Sequence, residues 1–226
     1  MIDLRLGRWQ DVLADVGEVD ALITDPPYGR RTHEGQMQGI DGADRLAIDY
    51  SAWTAEDVLE FVISWSPRVR GWMACLTSHD LVEAYRLAFQ VCGRYAFAPV
   101  PCVTPGMTVR LQGDGPSSWA VYLAVARPRR AEFLGWGALP GAYVIKGGDR
   151  KGNGGGGRGK PAQLCEALVR DYSRPGSLIV DPCVGWGHIL TAAERLGRNS
   201  IGSEVDPDVY AKASGVVGSA HQLALV

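Results

Sequence analysis

Two adjacent prolines interrupt an apolar run near the start of the chain and constrain how the backbone leaves it. Residues 19–24 are mostly apolar, which predicts a buried strand. The 25–28 segment that follows consists of Asp25, Pro26, Pro27 and Tyr28. Proline fits neither a helix interior nor a central strand, so this segment must leave the strand as a stiff, extended stretch. Such a strand end is the place where open α/β sheets bind ligands.

The residue types in the 25–28 segment suit a flat base that carries an exocyclic amino group. The carboxylate of Asp25 and the carbonyl of Pro26 can accept the two N–H groups, and the ring of Tyr28 can stack on the base. The alternative is an ordinary Pro-Pro turn after a strand, which four residues alone leave open.

A second apolar run ends in an acid and a glycine-rich turn near the other end of the chain. Residues 177–181 predict a strand that ends at Asp181. Gly185 and Gly187 follow and open a predicted helix, and the next predicted strand ends at Glu204. Glycines let a ligand approach the backbone closely, and an acid about twenty residues later is typical of contacts to ribose hydroxyls. These features predict a site for a nucleoside-containing cofactor.

The two segments and their order resemble the amino-methyltransferases of DNA, which use S-adenosyl-L-methionine. The matching residues are Asp25-Pro26-Pro27-Tyr28, Lys160-Pro161 before Leu164, Asp181-Pro182 with Gly185 and Gly187, and Gly202 with Glu204-Val205-Asp206-Pro207. The catalytic segment comes first and the cofactor segment last, which is similar to the circularly permuted order of the β class. The resemblance implies an α/β, Rossmann-like methyltransferase fold with about seven strands, mostly parallel with an antiparallel edge.

The resemblance also implies which residues form the site. The catalytic residues would be Asp25, Pro26, Pro27 and Tyr28. The cofactor-binding residues would be Asp181, Pro182, Gly185, Gly187, Glu204, Asp206 and Lys160. Four positions depart from the family pattern. Arg8, Cys183, Trp186 and His188 stand where Asp or Asn, Phe, a small residue and Thr are usual. This chemistry requires no metal ion.

The reaction implied by the resemblance is direct transfer of a methyl group to the N6 amino group of an adenine flipped out of double-stranded DNA. Asp25 at the first motif position favours adenine, because cytosine-N4 enzymes often carry serine there. Cytosine N4 stays an alternative target, and so does a non-catalytic relative that binds nucleic acid. Relatives that act on RNA or protein amides usually begin the motif with asparagine and carry the cofactor loop first, unlike this chain.

Charge is distributed unevenly along the chain. The net charge of −2 is unusual for a protein that binds DNA, but residues 127–160 hold eight basic residues against two acidic ones. Basic side chains near a cleft neutralise phosphates. The residues expected to contact DNA are Arg30, Arg31, Arg150, Lys151 and Arg158. The alternative is that the glycine-rich stretch 147–159 is a solvated loop without a partner.

The composition fits one compact domain. The chain has 226 residues, of which 46% are hydrophobic, and its longest apolar stretch is too short to span a membrane. We expect a single domain, 1–226, with a catalytic half (1–126), a short basic recognition region (127–159) and a cofactor-binding half (160–226). Five cysteines without a Cys-x-x-Cys pair indicate reduced thiols in the cytoplasm, or in the host-cell cytoplasm if a phage encodes the protein. A homodimer is left open.

Apolar patterns predict strands at 2–6, 19–24, 71–77, 95–100, 119–126, 177–181 and 200–204. Helices are predicted between the first two strands and at 54–65, 78–92, 161–172 and 188–196. Thr54 is the expected N-cap of the first long helix. The strands at 95–100 and 119–126 are expected to pair antiparallel. Loops around the cleft are expected at 29–53, 101–116 and 127–159.

Overall fold

The structure is a computed structural model, and it describes residues 1–30, 52–105, 119–129, 136–145 and 159–223. In this part of the chain nine strands form one sheet. The strands are β1 (Ile2–Leu6), β2 (Ala21–Thr24), β3 (Met73–Thr77), β4 (Tyr95–Ala96), β5 (Val100–Val103), β6 (Ala120–Arg127), β7 (Tyr143–Val144), β8 (Leu178–Asp181) and β9 (Asn199–Glu204). The helices are α1 (Trp9–Val12), α2 (Ala55–Trp65), α3 (Val82–Val91), α4 (Ala162–Tyr172), α5 (His188–Arg195) and α6 (Pro207–Leu223).

The strands lie in the order β1-β9-β8-β2-β3-β6-β5-β7, and β4 also pairs with β6. From β1 to β3 all neighbours are parallel. β6 runs antiparallel to β3, β4 and β5, and β7 is parallel to β5. Because β2, β8 and β9 run in one direction, Asp25, Asp181 and Glu204 lie at the same edge of the sheet. The predicted fold class, mostly parallel with an antiparallel part, is confirmed.

Helices cover both faces of the sheet. α2 and α3 contribute Phe61, Trp65, Tyr85 and Phe89 to one core. α4 and α5 contribute Leu164, Leu168, Tyr172 and Ile189 to the other. Along β2, Leu22 belongs to the first core and Ile23 to the second. A strand buried on both faces needs apolar residues throughout, which is why β2 shows no alternation of polar and apolar positions.

The described residues form nine strands where the sequence predicts about seven. The predicted strand at 95–100 is divided into β4 and β5, because Pro99 lies between them and has no N–H to donate to a ladder. β5 continues to Val103, inside a predicted loop, and β7 lies in a stretch predicted as irregular. Strands of two to four residues are too short for a repeating pattern to be recognised. Within the described residues, no helix has the length and apolar character needed to cross a membrane.

α2 begins immediately after the residue predicted to cap it. The Thr54 hydroxyl accepts a hydrogen bond from the Asp57 N–H, and the Asp57 carboxylate accepts one from the Thr54 N–H at 2.7 Å. This reciprocal pair is a capping box, and it satisfies N–H groups at the helix start that have no partner within the helix.

Replacing Thr54 tests how much this cap stabilises the fold. Thr54→Ala should lower the free energy of unfolding by about 1 kcal/mol, because one N–H loses its acceptor. Urea denaturation measures the change. Thr54→Ser keeps the hydroxyl and should stay within about 0.3 kcal/mol of the native protein. Equal destabilisation by both substitutions would contradict the role of the hydroxyl.

Candidate active site

The 25–28 segment is held by neighbouring elements on two sides. The N–H of Gly29 donates to Ser78 Oγ (3.0 Å), which follows the end of β3. The N–H of Trp53 donates to the Tyr28 carbonyl (3.1 Å) just before α2. These bonds give the segment a defined path along the edge of the sheet.

The Asp25 carboxylate is bound on both oxygens. Tyr28 Oη donates to Asp25 Oδ1 at 2.9 Å, and Lys160 Nζ donates to Asp25 Oδ2 at 2.6 Å. The Lys160 ammonium also lies 4.7 Å from the centroid of the Tyr28 ring. The side chains of Lys160 and Asp25 are 24% and 27% exposed, so water screens their attraction in part. Each carboxylate oxygen can accept two hydrogen bonds, which leaves capacity for a further donor.

Lys160 reaches Asp25 from the short stretch before α4. Its neighbour Gly159 packs against His188 and Trp186, and a Cβ at position 159 would collide with the His188 ring. Burial lowers the pKa of His188, which favours its neutral imidazole. Residues 159 and 160 thus connect the glycine-rich turn with the 25–28 segment. The sequence predicts Lys160 on the cofactor side and does not indicate its contact with Asp25.

Asp181 is fully buried at the end of β8. Its Oδ1 accepts hydrogen bonds from Thr24 Oγ1 (2.7 Å) and from the Cys183 N–H (3.2 Å). Its Oδ2 has no hydrogen-bond partner in the part of the chain that the structure describes. Burial, opposed by the two hydrogen bonds, raises the pKa of Asp181 to about 7. Through its two hydrogen bonds, the carboxyl group supports the turn after β8 and links β8 with β2.

The turn after β8 depends on glycine. Gly185 and Gly187 have φ angles of 54° and 82°, in the left-handed region that residues with a Cβ rarely adopt. On the neighbouring strand β9, a Cβ at Gly202 would lie 2.6 Å from the carbonyl oxygen of Asp181. Glycine at these positions lets the turn, β8 and β9 approach one another closely.

Glu204 lies at the end of β9 and binds the glycine-rich turn. Its Oε2 accepts a hydrogen bond from the Gly185 N–H (2.8 Å), and its Oε1 accepts one from the Asp206 N–H (3.0 Å). Burial raises the pKa of Glu204, although these hydrogen bonds act in the opposite direction. Asp206 accepts hydrogen bonds from the N–H groups of Asp208 and Val209 at the start of α6. Glu204 and the turn, which the sequence predicts as one site, are thus in direct contact.

The other residues expected in the site have simpler surroundings. Pro182 is buried, and its carbonyl accepts a hydrogen bond from Ser203 Oγ at 2.9 Å. Pro26 is buried and Pro27 is half-buried. Arg30 is exposed directly after the 25–28 segment. The remaining predicted DNA contacts, Arg31, Arg150, Lys151 and Arg158, lie outside the described residues.

Two residues beside the 25–28 segment are not indicated as site residues by the sequence. Ser78, predicted as a helix start, binds the Gly29 N–H. A Cβ at Gly29 would collide with the Asp80 carboxylate, so Asp80 also lies against the segment. Both follow β3, which ends at the same edge as β2. Their position directly after a predicted parallel strand is the signal from which they could have been identified.

The edge of the sheet offers groups for an organic ligand. Asp25 and Tyr28 combine hydrogen-bond acceptors with an aromatic ring, and Glu204 adds a carboxylate beside a glycine-rich turn. Such groups bind by hydrogen bonding and stacking. Within the described residues, no three His, Cys, Asp or Glu side chains are grouped to hold a metal ion.

Asp181→Asn should change how stability depends on pH. A folded-state pKa of about 7, above the ordinary value of 3.8, means that the folded protein keeps a proton that the unfolded chain releases. The stabilisation from this group is complete below the unfolded pKa and is lost as the pH rises through the folded pKa. Asparagine keeps an acceptor for Thr24 without the charge. The free energy of unfolding of the variant, relative to that of the native protein, should therefore rise by up to about 3 kcal/mol from pH 5 to pH 8.

Urea unfolding of both proteins at pH 5 and pH 8 measures this gain. The native protein serves as the reference at each pH, so the titration of all other groups cancels in the difference. A difference that does not change with pH would mean that Asp181 ionises equally in the folded and unfolded states.

Known proteins that resemble this chain are DNA methyltransferases. Residues 149–214 match the model of the N6/N4 methyltransferase family, which is described as DNA methylase. No curated protein sequence is significantly similar to the chain.

Solved structures extend the likeness to almost the whole chain. The M1.HpyAVI–SAM complex is 17% identical with a TM-score of 0.70, and 96% of this chain and 100% of that one are covered. TTHA0409 from Thermus thermophilus, complexed with S-adenosyl-L-methionine, is 20% identical with a TM-score of 0.66 and coverages of 97% and 94%. The cytosine-N4-specific PvuII DNA methyltransferase is 14% identical with a TM-score of 0.68 and coverages of 94% and 85%.

These structural similarities establish a common fold. At such low sequence identity they do not establish which reaction this chain catalyses. The chain has the fold of the S-adenosylmethionine-dependent DNA methyltransferases, and its resemblance to the N6/N4 amino-methyltransferases of DNA is confirmed over residues 149–214, which hold the predicted cofactor motifs.

Proposed function

We propose that this protein is a DNA methyltransferase that uses S-adenosyl-L-methionine and methylates the N6 amino group of an extruded adenine. The observation that carries the proposal is the position of Asp25 and Tyr28, which lie at the same sheet edge as the glycine-rich turn and Glu204. A target amino group and a nucleoside cofactor bound at one edge are within reach of each other.

The glycine-rich turn fits S-adenosyl-L-methionine. Gly185 and Gly187 present backbone without side chains, and Glu204 retains acceptor capacity for ribose hydroxyls beyond its two backbone hydrogen bonds. Asp181 and Pro182 support this turn through hydrogen bonds with Cys183 and Ser203. Asp206 lies two residues after Glu204, at the start of α6. The structures of M1.HpyAVI and TTHA0409 were solved with this cofactor, which supports the assignment.

When bound, the cofactor supplies an electrophilic methyl group, and the protein prepares the nucleophile. The N6 amino group of adenine is a poor nucleophile, because its lone pair is delocalised into the ring. Asp25 and the Pro26 carbonyl accept its N–H bonds and direct the lone pair away from the ring plane. Tyr28 stacks on the base, which must leave the duplex to reach these groups. Positioning of this kind accounts for a large part of the rate in a direct transfer.

Cytosine N4 is the second candidate target. It is also an exocyclic amino group, and the PvuII enzyme of similar fold is specific for it. The same acceptors, Asp25 and the Pro26 carbonyl, serve either base. Asp25 favours adenine by resemblance, since serine is frequent at this position in cytosine-N4 enzymes. Arg30, Arg31, Arg150, Lys151 and Arg158 are proposed to neutralise DNA phosphates in both cases.

Product analysis tests this function. The purified protein is incubated with isotopically labelled S-adenosyl-L-methionine and unmethylated genomic DNA, and the DNA is digested to nucleosides for mass spectrometry. N6-methyldeoxyadenosine is the expected product. N4-methyldeoxycytidine would establish the second candidate, and the absence of any labelled nucleoside would contradict both.

Asp25→Ala should reduce methyl transfer at least about hundredfold, because the loss of an acceptor aimed at the target costs about 3 kcal/mol. Cofactor affinity should stay within about twofold, since Asp25 faces the base. Initial rates on genomic DNA and calorimetry with S-adenosyl-L-methionine measure the two effects. Asp15→Ala removes an exposed acid paired with Arg5 and serves as the control. A variant that keeps more than about a tenth of the native rate would overturn the role of Asp25.

Glu204→Gln should weaken S-adenosyl-L-methionine binding at least about tenfold, because a neutral amide replaces a charged acceptor of ribose hydroxyls. The unfolding temperature should fall by no more than about 4 °C, since glutamine keeps one acceptor oxygen for the turn. Calorimetry and thermal unfolding separate binding from stability. Glu166→Gln alters an exposed acid paired with Arg195 and is the matched control. Unchanged affinity in Glu204→Gln would exclude Glu204 from the cofactor site.

A further inference from the structure

Lys160 makes two contacts at the position that the target amino group is proposed to occupy. Its ammonium donates to Asp25 Oδ2 at 2.6 Å, and it lies 4.7 Å from the Tyr28 ring centroid. Both partners are themselves joined by the bond from Tyr28 Oη to Asp25 Oδ1. One cation therefore engages the acceptor and the ring at the same time.

An amino-bearing base would make the same two kinds of contact. Its exocyclic N–H would donate to the Asp25 carboxylate, and its ring would lie on the Tyr28 ring. The Lys160 ammonium and the base cannot fill this space together. Binding of the base therefore requires that Lys160 leaves Asp25 Oδ2.

The backbone around Lys160 is anchored, whereas its side chain is long and flexible. Pro161 accepts the Leu164 N–H at 3.0 Å at the start of α4, and Gly159 packs against His188 and Trp186. The four-carbon stem of lysine has several rotatable bonds, and its partly exposed position gives it room to swing. The ammonium can move away without disturbing the fold.

We propose that Lys160 holds the place of the target amino group on Asp25, and that a base with an exocyclic N–H displaces it whereas a base without one does not. The inference rests on the proposed function, in which Asp25 binds that amino group. Adenine and cytosine replace the lost N–H donor with their own. Thymine presents the O4 acceptor and a methyl group, so it would leave the half-buried carboxylate oxygen without a donor. Thymine therefore leaves Lys160 in place on Asp25.

A zero-length cross-link reports whether the Lys160 amine contacts the Asp25 carboxylate. A carbodiimide activates the Asp25 carboxylate, and attack by the Lys160 amine forms an amide with net loss of water to the reagent. Mass spectrometry then detects the two joined peptides. The free native protein should give this cross-link, and Asp25→Asn should abolish it. A native protein that gives none would overturn the proposal.

Competition with single-stranded oligonucleotides tests the selectivity. Oligomers of dA, dC and dT with equal length and 5′-hydroxyl ends carry the same charge and need no base flipping. Oligo(dA) and oligo(dC) should lower the cross-link yield at least about threefold, whereas oligo(dT) should leave it nearly unchanged. Equal loss with all three, or no loss with oligo(dA), would overturn the proposal. Loss on addition of S-adenosyl-L-homocysteine alone would also overturn it, because Lys160 would then be a cofactor ligand.

A charge-matched pair of variants gives an independent readout. Lys160→Met should bind oligo(dA) about threefold more tightly than Lys212→Met does, since the base then has no ion pair to displace. Lys212→Met removes an exposed lysine near the Trp186 ring and so matches the loss of one positive charge. Equal affinities of the two variants for oligo(dA) would contradict the placeholder role of Lys160.

Neither measurement requires catalysis, so the two proposals fail separately. A protein that methylates DNA without base-selective loss of the cross-link keeps the proposed function and excludes the role of Lys160. Base-selective loss without any methylated nucleoside keeps Lys160 as the residue that an amino-bearing base displaces and excludes methyl transfer.

Discussion

One hydrogen bond, from Thr24 Oγ1 to Asp181 Oδ1, joins two parts of the chain that are 157 residues apart. Both residues are fully buried, and their strands, β2 and β8, are direct parallel neighbours. The bond therefore fixes the start of the 25–28 segment beside the start of the glycine-rich turn. Because β9 lies next to β8, Glu204 reaches the same edge. The arrangement of the whole candidate site depends on this junction.

Features with a local signature are well predicted from the sequence. Apolar runs of strand length, prolines after β2 and glycines before α5 each constrain the backbone where they stand. Thr54 identifies the start of α2 for the same reason, because its capping partner Asp57 is three residues away. The parallel sheet follows from the alternation of such strands and helices. The acids at the strand ends then meet at one edge without any further assumption.

Features that depend on distant partners are not predicted. Nothing near Lys160 in the sequence indicates its ion pair with Asp25, since the two residues come together only when α4 packs on the sheet. β5 and β7 owe their pairing to neighbours across the sheet, and their own residues are too few to indicate it. The role of Asp206 at the start of α6 is likewise set by the helix that follows it. The family resemblance predicts Asp206 and Lys160 as site residues without giving their contacts.

The two prolines of the 25–28 segment have a consequence for how such a site can evolve. In the proposed reaction one acceptor of the target amino group is the Asp25 side chain, and the other is the main-chain oxygen of Pro26. A single nucleotide change can delete the first, whereas no amino-acid substitution deletes a carbonyl from the backbone. Residue 25 can therefore be replaced during evolution by side chains that suit different bases, while the stiff backbone preserves the other of the two acceptors. Such an enzyme would stay active while its target base changes as long as the backbone conformation of this segment is inherited, even if individual side chains are replaced.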